Sequence, residues 1–97
     1  MRKKNTQRIG EALRQYFNEN PFFRRKIAES RVISGWSFLF GNTVKNYTSD
    51  IYLKNNILHI QLASSVLRSE LMMAKERMIA ALNEYAGMKV VDDIIFK

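Results

Sequence analysis

The sequence predicts an α+β domain in the order α, α (bent), β, β, α, β: a small three-stranded sheet with helices packed on one face. Three observations predict it. Apolar residues recur at helical spacing in the first forty residues and again over residues 67–85. They alternate at strand spacing on either side of Asn55-Asn56, and a β-branched, aromatic run closes the chain. The chain has 97 residues, enough for one domain with a modest core and no more. Hydrophobic residues make up 46% against only 4 Gly and 1 Pro, the balance of a folded chain, so residues 9–97 are read as a single domain and residues 1–8 as a basic, flexible arm.

Ile9, Ala12, Leu13, Tyr16 and Phe17 fall at i, i+3, i+4, i+7 and i+8 and predict a first helix ending near Asn18. Asn20-Pro21 then reads as an N-cap followed by proline at the first helical position, where its missing N–H costs nothing. In the second helix the apolar phase shifts. Phe23 and Ile27 lie on one face, while Val32, Ile33, Trp36 and Phe40 lie largely round the other, which predicts a bend near Glu29 to Arg31. Gly41-Asn42 is a helix stop signal, and a linker through Tyr47-Thr48 follows.

Ile51 and Leu53 alternate with Tyr52 and Lys54, and Asn55-Asn56 turns the chain into Ile57 to Leu62, which predicts a hairpin. Its inward set is Ile51, Leu53, Leu58, Ile60 and Leu62; Tyr52, Ile57, His59 and Gln61 take the opposite face. Ser64 or Ser65 caps a last helix whose stripe of Leu67, Leu71, Ala74, Met78, Leu82 and Tyr85 persists to Gly87. Val90 to Phe96 reads as the third strand, with Ile94 and Phe96 on one face and Ile95 on the other.

No cysteine is present, so disulfides, thiolate zinc sites and cysteine nucleophiles are excluded, and a reducing cytoplasm is the expected compartment. The N-terminal Met1-Arg2-Lys3-Lys4 is not followed by the apolar run of a signal peptide, and no apolar stretch approaches bilayer-spanning length. Enzymatic readings find little support. His59 is the single histidine and sits at outward parity on a strand; Asp92-Asp93 point to opposite faces; Ser64-Ser65 lacks the glycines of a nucleophile elbow. No metal site and no cofactor are expected, and the chain is read as non-enzymatic.

Charge is the more informative property. Residues 1–31 hold nine Lys/Arg against three Glu, a balance of +6, whereas residues 32–97 hold seven against six, a balance of +1. Such asymmetry points to a polyanionic partner, because each phosphate neutralised releases condensed counterions. Arg2, Lys3, Lys4, Arg8, Arg24, Arg25, Lys26 and Arg31 are the candidate nucleic-acid contacts, one patch if the first two helices pack side by side. Phe22, beside the basic run, is a candidate to stack on an unpaired base or to meet the core or a partner. Trp36 belongs to the apolar set of the second helix and is read mainly as core, with a partner contact as the other reading; Tyr52, Ile57 and His59 are candidate partner contacts on the outer sheet face.

The run Trp36-Ser-Phe-Leu-Phe-Gly41, then Thr48, the hairpin Ile51-Tyr-Leu-Lys-Asn-Asn-Ile-Leu58 and the helix Ser64-Ser-Val-Leu-Arg-Ser-Glu-Leu71 together resemble the DciA-like family of bacterial proteins. Ala81-Leu-Asn-Glu-Tyr-Ala-Gly87 and Ile94-Ile-Phe96 continue the match, which covers about residues 9–97. The resemblance implies a KH-like fold, association with the replicative DNA helicase during its loading, and DNA binding. Two departures qualify what carries over. Some larger relatives have a long basic extension or a cysteine-containing segment, and this sequence has neither, so contacts made by such segments do not transfer. The four glycines, at 10, 35, 41 and 87, never stand three apart, so the GxxG clamp of RNA-binding KH modules is missing.

The expectation is therefore an accessory protein of replication that binds the replicative helicase and DNA, with single-stranded DNA among the candidate forms. The alternatives are a protein adaptor or homodimer that uses the outer sheet face, and an RNA-binding KH-like protein.

Overall fold

A computed structural model describes the backbone of residues 2–97 and the side chains of residues 10–16 and 18–97. The chain forms α1 (Arg2–Glu19), α2 (Pro21–Tyr47), β1 (Thr48–Lys54), β2 (Ile57–Leu62), α3 (Ser65–Met73), α4 (Lys75–Ala86) and β3 (Asp93–Phe96). The sheet has the order β1-β2-β3, with β1 antiparallel and β3 parallel to the central β2. This α+β arrangement, four helices over a mixed three-stranded sheet, is the predicted fold class and is compatible with a KH-like fold.

Local chemistry explains most boundaries. Asn20 caps α2 through its side-chain oxygen, which accepts from the N–H groups of Phe22 (3.0 Å) and Phe23 (3.3 Å), with Pro21 next in the chain. Asn55 and Asn56 both take positive φ (53° and 66°), the requirement of a two-residue type I′ hairpin turn. The register pairs Tyr52 with His59 and Leu53 with Leu58, so the hairpin's inward set is as predicted. Leu58, Ile60 and Leu62 are buried, and Ile51 and Leu53 pack against them. Ser64 is the N-cap of α3, its hydroxyl accepting from the Leu67 N–H at 3.2 Å. Gly87 closes α4 in the left-handed conformation.

Four expectations are corrected. First, α2 does not bend at residues 29–31; its buried face is Ala28, Val32, Gly35 and Trp36, at i, i+4, i+7 and i+8. The large residues had suggested a change of phase, but the small Ala28 and Gly35 carry the contact face straight through. A Cβ at Gly35 would come within 2.7 Å of the Tyr85 ring, so glycine here lets α4 approach α2 closely. Second, the break comes at Gly41 (φ 90°, ψ 175°), and helix resumes to Tyr47 where a linker was expected. Third, the long last helix is two helices, broken at Ala74 (φ −101°, ψ 6°), whose N–H bonds back to Leu71 and Met72. Fourth, regular pairing in the last strand begins at Asp93 and not at Val90.

The loop before β3 is instead built by one side chain. Asn83 Oδ1 accepts from the Val90 and Val91 N–H groups at 3.0 and 2.9 Å, and its Nδ2 donates to the Val91 carbonyl at 3.0 Å. This satisfies the backbone while both valines go fully under, each contributing about 1.5–3 kcal/mol by burial. Trp36 is similarly anchored: buried against Phe40 and Phe96, it donates from Nε1 to Thr48 Oγ1 at 2.9 Å, and that hydroxyl donates to the Val44 carbonyl at 2.7 Å. Trp36 and Thr48, both part of the family resemblance, thus form one packing unit. Every buried residue lies at or beyond Ala28 among the described residues.

Candidate nucleic-acid and partner surfaces

The basic residues of the N-terminal third do not act alike. Arg2, Lys3, Lys4 and Arg8 lie outside the residues whose side chains are described. Arg25 turns inward: its guanidinium pairs with Glu29 at 3.4 Å and donates to the Asn56 side-chain oxygen, tying α2 to the hairpin turn. Lys26 pairs with the same Glu29 at 3.5 Å and lies over the exposed ring of Phe22, 5.7 Å from its centroid. Both charges are therefore partly answered within the fold.

Arg24 and Arg31, seven residues apart and so two turns along one face of α2, converge instead. With Asn18, Ile27 and the Ala86-Gly87-Met88 turn they line a hollow of about 220 Å³. Arg31 Nη1 donates to the Ala86 carbonyl at 3.4 Å, at the negative end of α4, which holds that guanidinium in place. Arg24 is exposed and has no acidic partner among the described residues. The hollow therefore presents two guanidinium groups and one amide, the donor set that recognises a phosphate. Asn18 was not singled out in the sequence; only the short link between α1 and α2 could have placed it near Arg24.

The second surface is the outer sheet face. Register sets Tyr52, His59 and Ile95 in one row across the three strands. The Tyr52 and His59 rings stack at 4.6 Å and 9°, and Lys97 Nζ donates to the Tyr52 hydroxyl at 3.2 Å. His59 Nδ1 is buried without a hydrogen-bond partner. Tyr52 and Ile95 are exposed, and Ile57 is half-buried beside them. Trp36 does not join this surface: at 2% exposure it is core, the main reading of it in the sequence. At the edge of the row, Lys75 Nζ lies 3.1 Å from Asp93 Oδ1, and this hydrogen bond, helped by the Ile94 N–H at 2.8 Å, holds the Asp93 carboxyl below its usual range.

A third surface, not singled out in the sequence, where Phe40, Leu71, Ala74, Met78 and Tyr85 read as apolar helix stripes, runs between α2 and α4. Phe40, Val44, Leu71, Ala74, Arg77 and Met78 line an apolar hollow of about 400 Å³. Leu39, Ala81, Glu84 and Tyr85 line another of about 520 Å³. Among the described residues no group of three or more His, Asp or Glu side chains is placed to hold a metal ion, and no helix is long and apolar enough to cross a membrane.

Fold and surfaces together define a small α+β domain with three distinct faces: an arginine pair, an aromatic sheet row and an apolar helical groove. Residues 8–96 match the family model described as Dna[CI] antecedent, DciA, and the chain belongs to that family. Membership carries an accessory role in helicase loading during DNA replication. No curated protein and no solved structure matches the chain.

Proposed function

We propose that this chain is a non-enzymatic replication accessory protein that grips the phosphate backbone of DNA between Arg24 and Arg31 and meets the replicative helicase through the outer sheet face around Tyr52, Ile57 and His59. The observation that carries the DNA half is the polar hollow: of the basic side chains described up to Arg31, this pair converges on one cavity, with Asn18 in the last turn of α1 as a further donor. Two phosphate contacts from side chains on a helix fix position without reading sequence, so binding is expected to be indifferent to base order. The basic residues of α1 that precede Gly10 add charge along the same chain segment. For the helicase half, the row of Tyr52, His59 and Ile95 offers aromatic and aliphatic area beside an unsatisfied ring nitrogen, the composition of an interface core.

Fluorescence anisotropy with labelled single- and double-stranded DNA over a series of salt concentrations tests the first half. Binding should weaken steeply with salt, and Arg24→Ala and Arg31→Ala should each lower the magnitude of the logarithmic salt slope by about 1, with Arg25→Ala having less effect. Absence of binding at low salt would sink it. For the second half, pull-down of the purified helicase should be lost with Tyr52→Ala or His59→Ala and kept with Arg24→Ala.

A further inference from the structure

Helical spacing sets three residues of α2 in one row. Arg24, Arg31 and Phe38 stand seven apart, so each follows the last by two turns, about 10.5 Å along the axis and about 20° round it. All three precede the break at Gly41, and all three are exposed. The first two line the polar hollow; the third, 73% exposed, brings a large apolar ring next in line after two guanidinium groups.

Phe38 differs from the single exposed apolar residues that any surface carries. Its ring stacks on Tyr85 with centroids 5.4 Å apart and planes at 29°. Tyr85 in turn lies against Gly35, so the stacked pair is braced by the contact between α2 and α4. A flat apolar surface that is already ordered loses little freedom when something settles on it. Beside the pair, Leu39, Ala81, Glu84 and Tyr85 line the hollow of about 520 Å³, and Glu84 has no cationic partner among the described residues. The row therefore runs from two cations to an aromatic surface bordered by an anion. A phosphate is drawn to the first part and repelled from the last, where a flat neutral group fits. Phe22 has a different setting: it lies nine residues before Arg31, half a turn round the helix, with Lys26 Nζ 5.7 Å from its ring centroid.

Resting on the reading of Arg24 and Arg31 as phosphate contacts, we infer that Phe38, stacked on Tyr85, is a platform for an unpaired base, so that single-stranded DNA is the form this face selects. The about 10.5 Å between Arg31 and Phe38 is the length of about three nucleotides at duplex rise, and of fewer in an extended strand. Arginine holds the backbone and the ring takes a base of the same short segment. Within a duplex each internal base is enclosed by its neighbours, and Phe38 has nothing to stack on. Every base has a π-face, so the selection is for strandedness and not for sequence.

Fluorescence anisotropy of the full chain tests this with two labelled strands of equal length and charge, oligothymidine and its abasic counterpart, and with a blunt duplex. Oligothymidine should bind at least about fivefold tighter than the abasic strand. Phe38→Ala should remove that advantage while leaving the abasic affinity, the duplex affinity, the salt slope and the circular dichroism spectrum unchanged, since an exposed and uncharged ring is all that is lost. Phe38→Trp should keep the advantage. Equal affinity for the two strands, with Arg24→Ala still weakening both, would overturn the platform and leave the phosphate grip standing. An advantage that survives Phe38→Ala would overturn it as well, and so would a Phe38→Ala chain that loses affinity for the abasic strand, because the ring would then act through the fold. Failure to bind any of the three at low salt would sink the platform and the phosphate grip together.

Discussion

Residues before Ala28 and residues from Ala28 onward are two different kinds of protein. The first stretch holds most of the net charge, exposes Leu13, Tyr16 and Phe22, and contributes nothing to the buried core among its described residues; the second is nearly neutral and contains all of that core. Most of the net charge and all of the described core are thus separated along the chain. Substitutions in the first region should leave folding intact, and only in the second can a substitution empty the core.

The most direct challenge to this division compares Trp36→Ala with Leu13→Ala in urea unfolding. Trp36→Ala empties a buried ring's space and strips Thr48 of its donor, so a loss of about 3–5 kcal/mol is expected. Leu13→Ala should stay within about 0.5 kcal/mol of the parent. Equal losses would show that α1 is part of the cooperative unit and erase the distinction.

A finer probe stays within the second region. Asn83→Ala leaves the buried N–H groups of Val90 and Val91 without acceptors, and about 2–3 kcal/mol should be lost. Hydrogen exchange should report it locally, with faster exchange at these two amides than the global loss accounts for. The smallest effect belongs to the Lys75–Asp93 pair. Asp93 has a folded pKa below its unfolded value, so the pair's contribution is present above the unfolded pKa of about 3.9 and is lost as pH falls through the lower folded value. The carboxylate is about half exposed, and solvent screening keeps the contribution under about 1 kcal/mol. Asp93→Asn should therefore lower stability at neutral pH by less than about 1 kcal/mol, leave it unchanged below the folded pKa, and so flatten the acid limb of the stability curve slightly.

What could be read from the sequence follows from what each signal depends on. The hairpin was legible because alternation and Asn55-Asn56 are local and redundant, and the capping residues Asn20 and Ser64 because capping is a contact with the next few residues. The course of α2 was not legible, since the pattern was followed through large side chains while Ala28 and Gly35 did the packing, and the use of Gly35 depends on Tyr85, far along the chain. The break at Ala74 was hidden because the apolar stripe passes through it undisturbed. The candidate surfaces divide in the same way. The row of Tyr52 and His59 came from strand parity, but Arg25 could be distinguished from Arg24 only once the hairpin turn had brought Asn56 against α2.

The central position of β2 also matters in time. Its partner β1 is made just before it, so one edge is satisfied as soon as the turn forms, but its other partner, β3, follows only after the whole stretch from Ala63 to Asp92 has been synthesised. At cellular rates of elongation that interval is roughly 2–6 s. Throughout it the nascent chain carries an open strand edge flanked by Leu58 and Ile60, with the capping bonds between Lys97 and the backbone of Ile60 and Leu62 still to come. Each newly made molecule thus passes through a short period in which its sheet can still be extended by a strand from elsewhere.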